Sequence, residues 1–296
     1  MTPLPLPPLP EEPHLRPGHT GLARRLLLWL GVSGTLFALH LLLSPRLAGV
    51  EPTRLILGTG ALFLALAAAF FLRASAQLRA FTLANAEATA LVYEGRFDEA
   101  CARFEANARR FRSPSLHPIS VHNLADTLLH RGQLERALSL GAAVATYRGL
   151  LRSPLVAASA PSLVATCYAL LGDLDSAKAW LPEARDAARL VACENALVPE
   201  VIVACREGRF AEAIGRIEER RRQIDGSLAG HDLRTLRVLL AFALSQTENA
   251  SEAALAEARA LARPSFAGEL DYLATRWPEL KPFLDALPPA LPSRVA

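Results

Sequence analysis

Three side chains in this sequence combine type and spacing in a way that could support chemistry. His122, Asp126 and His130 recur at intervals of four in "HPISVHNLADTLLH", so a helix there would carry them on one face. Imidazole and carboxylate are the groups of metal sites and of general acid–base catalysis. The spacing argues against both. On a helix His122 and His130 stand about 12 Å apart along the axis, too far to share a metal ion, and either one with Asp126 supplies only two ligands. A polar binding surface fits the trio better. Cys101, Cys167, Cys193 and Cys205 contain no C-x-x-C pair and read as small buried thiols, neither a zinc site nor a disulfide framework. No G-x-x-x-x-G-K-[ST], H-E-x-x-H or G-x-S-x-G occurs, and the "GTG" at 58–60 lies inside an apolar run. The expectation is a chain that is not an enzyme, with no catalytic residue, no metal site and no cofactor.

The elements that would position such a surface are helices. The chain has 296 residues, 51% hydrophobic but only 6% aromatic. Leu and Ala dominate, which favours an all-α fold. A repeated turn organises most of it. "LVYEGRFDEACARF" at 91–104 returns as "ACREGRFAEAIGRI" at 204–217. Glycines 95, 132, 172 and 208 are each followed five residues later by an alanine, at 100, 137, 177 and 213. A fifth unit keeps Ala253 but has Glu248 in place of the glycine. Each unit reads as an apolar helix, a left-handed glycine stop, a bulky plug (Phe97, Leu134, Leu174 or Phe210) and a second helix. A single such pair cannot bury its apolar face alone, so the pairs must stack.

At these residues the chain resembles the tetratricopeptide repeat (TPR) family, over about 81–262. Ala88, Ala125 and Ala165 match the family's small residue seven positions before the turn glycine, and Phe104 its second-helix aromatic. The steps of 37, 40 and 36 residues exceed the family's 34, the early Trp is missing, and Pro199 falls inside the expected first helix of the fourth unit. The resemblance implies a right-handed α-solenoid of about five helical hairpins, closed by a C-terminal capping helix or helix pair in 268–287. It also implies a groove that binds a protein or peptide, lined by Asn85, Thr89, His122, Asn123, Asp126, His130, Thr166, Ile202, Arg206, Phe242 and Gln246. Asn123 stands where family members often bond a peptide backbone.

The front of the chain is different. Residues 26–43 and 55–72 contain no Asp, Glu, Lys or Arg, and each is about as long as a bilayer span. Together they predict a two-helix transmembrane hairpin over 24–73, with spans at about 24–43 and 55–72. Five arginines flank the hairpin outside (16, 24, 25, 73, 79) against two in its loop (46, 54). That bias places both termini and the solenoid in the cytoplasm, at the cell membrane. No Gly or Pro interrupts 61–94, so the second span is expected to continue as a stalk into the soluble part. Small residues at 61, 65 and 69 suit close helix packing, within the hairpin or in a homo-oligomer. Residues 1–23 are proline-rich and expected to be a disordered tail; 74–287 form the solenoid and cap, and 288–296 a flexible tail. The net charge of +3 and the basic runs "RFEANARRFR" and "RIEERRRQ" read as solvated helix faces, with no nucleic-acid partner. The leading expectation is a non-enzymatic membrane-anchored scaffold. The alternative is a structural subunit of a homo-oligomeric or fixed membrane complex.

Overall fold

A computed structural model describes residues 4–17, 52–147, 153–228, 230–248 and 251–290. Thirteen α-helices and two short 3-10 turns make up its regular structure, and no strand occurs among the described residues. The helices are α1 (Pro52–Tyr93), α2 (Phe97–Arg110), α3 (His117–His130), α4 (Leu134–Ala145), α5 (Pro154–Leu171), α6 (Leu174–Arg189) and α7 (Leu197–Arg206). They continue with α8 (Phe210–Glu219), α9 (Arg221–Ser227), α10 (Gly230–Ser245), α11 (Glu252–Leu261), α12 (Asp271–Ala274) and α13 (Lys281–Asp285). Consecutive helices from α1 to α8 pack on one another. Beyond these sequential contacts, α3 also meets α5, α5 meets α7, and α7 meets α10.

The four glycine turns are built alike. Gly95 donates its N–H to Val92 O, and the next residue, Arg96, donates to Leu91 O. The same two bonds close the turns at Gly132, Gly172 and Gly208, the pattern of a Schellman stop. It requires a left-handed residue, and φ is +75° at Gly95 and +91° at Gly172. The residue after each glycine already caps the next helix. Ala100, Ala137, Ala177 and Ala213 are completely buried: a turn this short presses the paired helices together at the first turn of the second. Ala253 does not follow, because it is exposed; Ala258 and Ala262 supply the buried small residues of α11. Pro199 sits in the first turn of α7, where its missing N–H has no intrahelical acceptor to lose.

α1 is one uninterrupted helix of 42 residues, about 63 Å long. Its two halves have different surroundings. Leu62, Leu64, Phe70, Phe71 and Leu72 are exposed, whereas Phe81, Ala88 and Val92 are buried against the rest of the fold. Two described helices are long and apolar enough to cross a membrane. One is the exposed part of α1. The other, α5, is mostly buried and is a core helix. The expected first span at 24–43 lies outside the described residues.

One terminal expectation is corrected and the other narrowed. Residues 4–17 are not a free tail: they lie against α2, α4, α5 and α6, with Pro10 and Leu15 buried. The C-terminal segment is not one capping helix. Pro278 and Pro282 break it into α12, a 3-10 turn at Pro278–Leu280, and α13, because proline supplies no N–H to a helix interior. The pieces turn back on the fold: α12 packs on α3, and Arg276 pairs with Glu135 of α4 at 3.1 Å. Further on, Pro289 O accepts from Arg263 Nε at 2.6 Å; residues 291–296 lie outside the described residues.

Gly172→Ala tests the turn. A Cβ there would meet nothing closer than Arg206 Nη2 at 3.5 Å, so the cost is conformational, about 1–2 kcal/mol. Gly215→Ala, inside α8 with open space around its Cα, should instead stabilise by about 0.5–1 kcal/mol. Thermal unfolding in detergent should therefore move the two variants in opposite directions.

Candidate functional site

The face carried by α1, α3, α5, α7 and α10 is bound together by polar side chains. Asn123 Nδ2 donates to Asn85 Oδ1 at 2.8 Å, joining α3 to α1. His122 Nε2 and Ser159 Oγ lie 2.8 Å apart, joining α3 to α5. Thr89 turns inward on its own helix and donates to Asn85 O. Beside this seam is a cavity of about 170 Å³ whose lining includes His122, Asp126, Ser159, Thr166, Asn195 and Asp232. That is room for a few water molecules, too little for a peptide. A second, shallower hollow of about 440 Å³ runs along α1 past Phe81, Asn85, Thr89 and Tyr93.

The structure brings together six of the eleven expected groove residues: Asn85, Thr89, His122, Asn123, Asp126 and Thr166. The other five serve elsewhere. His130 is buried; its Nδ1 lies 2.8 Å from Asp126 O, and its ring packs 4.5 Å from His231 and 4.8 Å from Tyr272. Ile202 is fully buried core. Phe242 is buried edge-on between Phe210, Trp277 and Phe283. Arg206 is a staple: Nη1 donates to Ala169 O and Leu170 O at the end of α5, and Nη2 to Arg276 O in the returning C-terminal segment, with the guanidinium over the Trp277 ring. Gln246 is exposed, with its Nε2 donating to the neighbouring Ser245 Oγ at 3.3 Å. The start of α10 and residues 263–285 fold over His130, Arg206 and Phe242 and cover them. Tyr93 stacks on His231 at 5.8 Å, and Phe97 packs on Phe266.

Sequence reasoning missed Ser159, Asn195 and Asp232. Asn195 and Asp232 lie on a turn and a helix whose register the glycine pattern does not set, whereas Ser159 lies on α5, whose register counts back from Gly172 and could have found it. Asp232 is the unusual one. Burial, aided by the charge of Asp126 and opposed by His130, pushes its carboxyl up to about 6. Glu269, fully buried, goes the other way. Burial alone would raise it, but hydrogen bonds from His231 and the Ser265 N–H, with the Arg234 charge, hold it below the ordinary carboxylate range. Cys101 and Cys205 are pushed up to about 11 and about 12 by burial, so neither is a thiolate nucleophile. Among the described residues no group of three His, Cys, Asp or Glu side chains is placed to hold a metal ion.

No family model, curated protein or solved structure matches this chain. Function therefore has to be argued from the geometry.

Asp232 gives a pH test. Between about pH 4 and 6 the folded chain keeps a proton that an ordinary carboxylate has lost, so this group's contribution to stability falls as pH rises through that window. Asp232→Asn mimics the protonated form. Its stability relative to the parent should increase by about 1–3 kcal/mol between pH 4 and pH 7. An offset that is the same at both pH values would show that Asp232 titrates normally.

Proposed function

We propose that this chain is a non-enzymatic, membrane-anchored scaffold whose TPR-like helical pairs present a binding surface for a partner protein. The observation that carries the proposal is the division of α1. Its first half is apolar and exposed at Leu62, Leu64, Leu66, Phe71 and Leu72, while its second half is the first helix of the packed body. Exposing a row of Leu and Phe to water is costly (about 25 cal/mol per Å² of apolar surface), and lipid removes the cost. A stiff helix shared by both regions fixes the body close to the bilayer.

The docked strap supports the hairpin reading. Residues 4–17 bond to the same body that α1 enters, which favours both ends of the intervening chain on one side of the membrane and so an even number of crossings. With α1 as one of them, the charge-free stretch 26–43 is the natural second. The arginine bias then favours the cytoplasmic side. The partner surface on this reading is the hollow along α1 near Asn85 and Thr89, with Asn123 and Asp126 at its edge.

A structural-subunit role is favoured by a different observation: Ala61, Ala65 and Ala69 are exposed along one face of α1, and small residues at this spacing let helices approach closely in lipid. The size of the particle in detergent separates the two readings, since a discrete large homo-oligomer supports the second. For the first, the chain should stay in the membrane pellet after alkaline carbonate washing. A variant with arginines in both spans (Leu64→Arg/Leu66→Arg with Leu36→Arg) should be released, at a cost of about 2.5–3.5 kcal/mol per arginine at the bilayer centre. A reporter fused after Ala296 should be active in the cytoplasm. An Asn123→Arg/Asp126→Arg variant that stays folded should lose any protein that co-purifies with the parent.

A further inference from the structure

The strap at 4–17 is held in an unusual way. Leu4, Leu6 and Leu9 point outward, the last two each 61% exposed. Pro5 and Pro7 are partly buried and Pro10 is buried, so these three face the helices, while Pro8 and Pro13 are exposed. Most of its polar contacts are to backbone carbonyls. Trp180 Nε1 and Tyr168 OH both donate to Pro5 O, at 3.0 and 3.2 Å. Ser139 Oγ donates to Pro8 O at 2.8 Å. His117 Nε2 lies 2.7 Å from His14 O. Arg136 pairs with Glu12 at 2.9 Å, and Leu15 plugs the core at the far end.

The spacing has a physical reason. A chain with Pro5, Pro7, Pro8 and Pro10 has φ fixed near −65° at four of six positions and favours the polyproline II helix, which advances about 9.3 Å per three-residue turn. Three residues, one such turn, carry the strap from α6 to α4, and six more carry it to α2. Pro5 meets Trp180 of α6, Pro8 meets Ser139 of α4, and the His14 ring lies 3.1 Å from Arg109 of α2. Aromatic N–H and O–H groups donating to proline carbonyls over a ridged apolar surface are the features that recognise polyproline II segments.

We propose that the outer surface of α2, α4 and α6 is a receptor for proline-rich segments, occupied in cis by residues 4–17 and able to exchange them for such a segment of a partner protein. Recognition runs through prolines in the register P-x-P-x-x-P and through carbonyls, so the outward positions 4, 6 and 9 are free to vary. The surface is separate from the hollow along α1 and does not depend on membrane anchoring.

The test uses the full chain in detergent, with a site-specific protease sequence in place of residues 18–23. After cutting, a fluorescent peptide of residues 1–17 is added and its anisotropy followed. We expect saturable binding, retained when Leu4, Leu6 and Leu9 of the peptide become Ser and weakened more than about ten-fold when Pro5, Pro7 and Pro10 become Ala. A Tyr168→Phe chain keeps its ring and loses one donor, and a Trp180→Phe chain loses the other donor with a smaller ring in place of the indole; each should bind the strap more weakly, the double variant about ten-fold, with an unchanged circular dichroism spectrum. A shorter peptide of residues 1–10 tests exchange with a partner, since it keeps the proline register without Glu12, His14 and Leu15. It should compete with the labelled strap. Failure of the labelled peptide to bind the cut chain, or equal binding of the Pro5→Ala/Pro7→Ala/Pro10→Ala peptide, would overturn the proposal. Rebinding of the complete strap with no competition from the short peptide would also overturn it, and would make the strap a built-in part of this fold alone.

Discussion

Paired helices in this protein meet at alanines, and that closeness is the constraint from which the rest follows. A left-handed glycine ends one helix and the following residue begins the next, so the connecting chain has no length with which to separate them. Nothing larger than a methyl group fits where Ala100, Ala137, Ala177 and Ala213 are enclosed. The plugs at Phe97, Leu134, Leu174 and Phe210 pack against the core beside them. Once the pairs are this tight, each exposes an apolar side that only another pair can cover, and the stack is the outcome.

Charge secures the places where stacking alone leaves polar groups buried. Glu200 has no exposed side chain and is held by Arg185 and, at 2.5 Å, by Arg216, joining α6, α7 and α8. Glu269 does the same for the C-terminal segment through Arg234 and His231. A buried carboxylate is tolerable only when paired, and losing one partner costs several kcal/mol. The two clusters and Arg206 therefore fix how the last part of the chain returns over the first.

That return explains how the candidate groove was legible in part. His122, Asn123 and Asp126 stand on one face of α3 as their four-residue spacing requires, and His122 and Asn123 reach neighbouring first helices. Phe242 and His130 occupy their helical positions, but the surface they would line is covered by residues farther along the chain; Ile202 is core. The long uninterrupted α1 was legible because charge-free composition and absence of Gly and Pro over 61–94 are local properties. The strap was misread for a related reason: its prolines do forbid a helix, but whether an extended segment is free or seated depends on donors such as Trp180 and Tyr168, more than 160 residues away.

By itself the sequence determined what is set within one turn or one helix: the helical class, the glycine stops, the buried alanines and the apolar run of α1. These depend on backbone conformation and on periodicity, which act over a few residues. Only the tertiary structure decided which faces stay open. It covered His130, Arg206 and Phe242 of the expected groove with the C-terminal segment, raised the Asp232 carboxyl by burying it, and seated the proline-rich N-terminus across the second helices. Each of these outcomes rests on contacts between distant parts of the chain, and no local pattern records them.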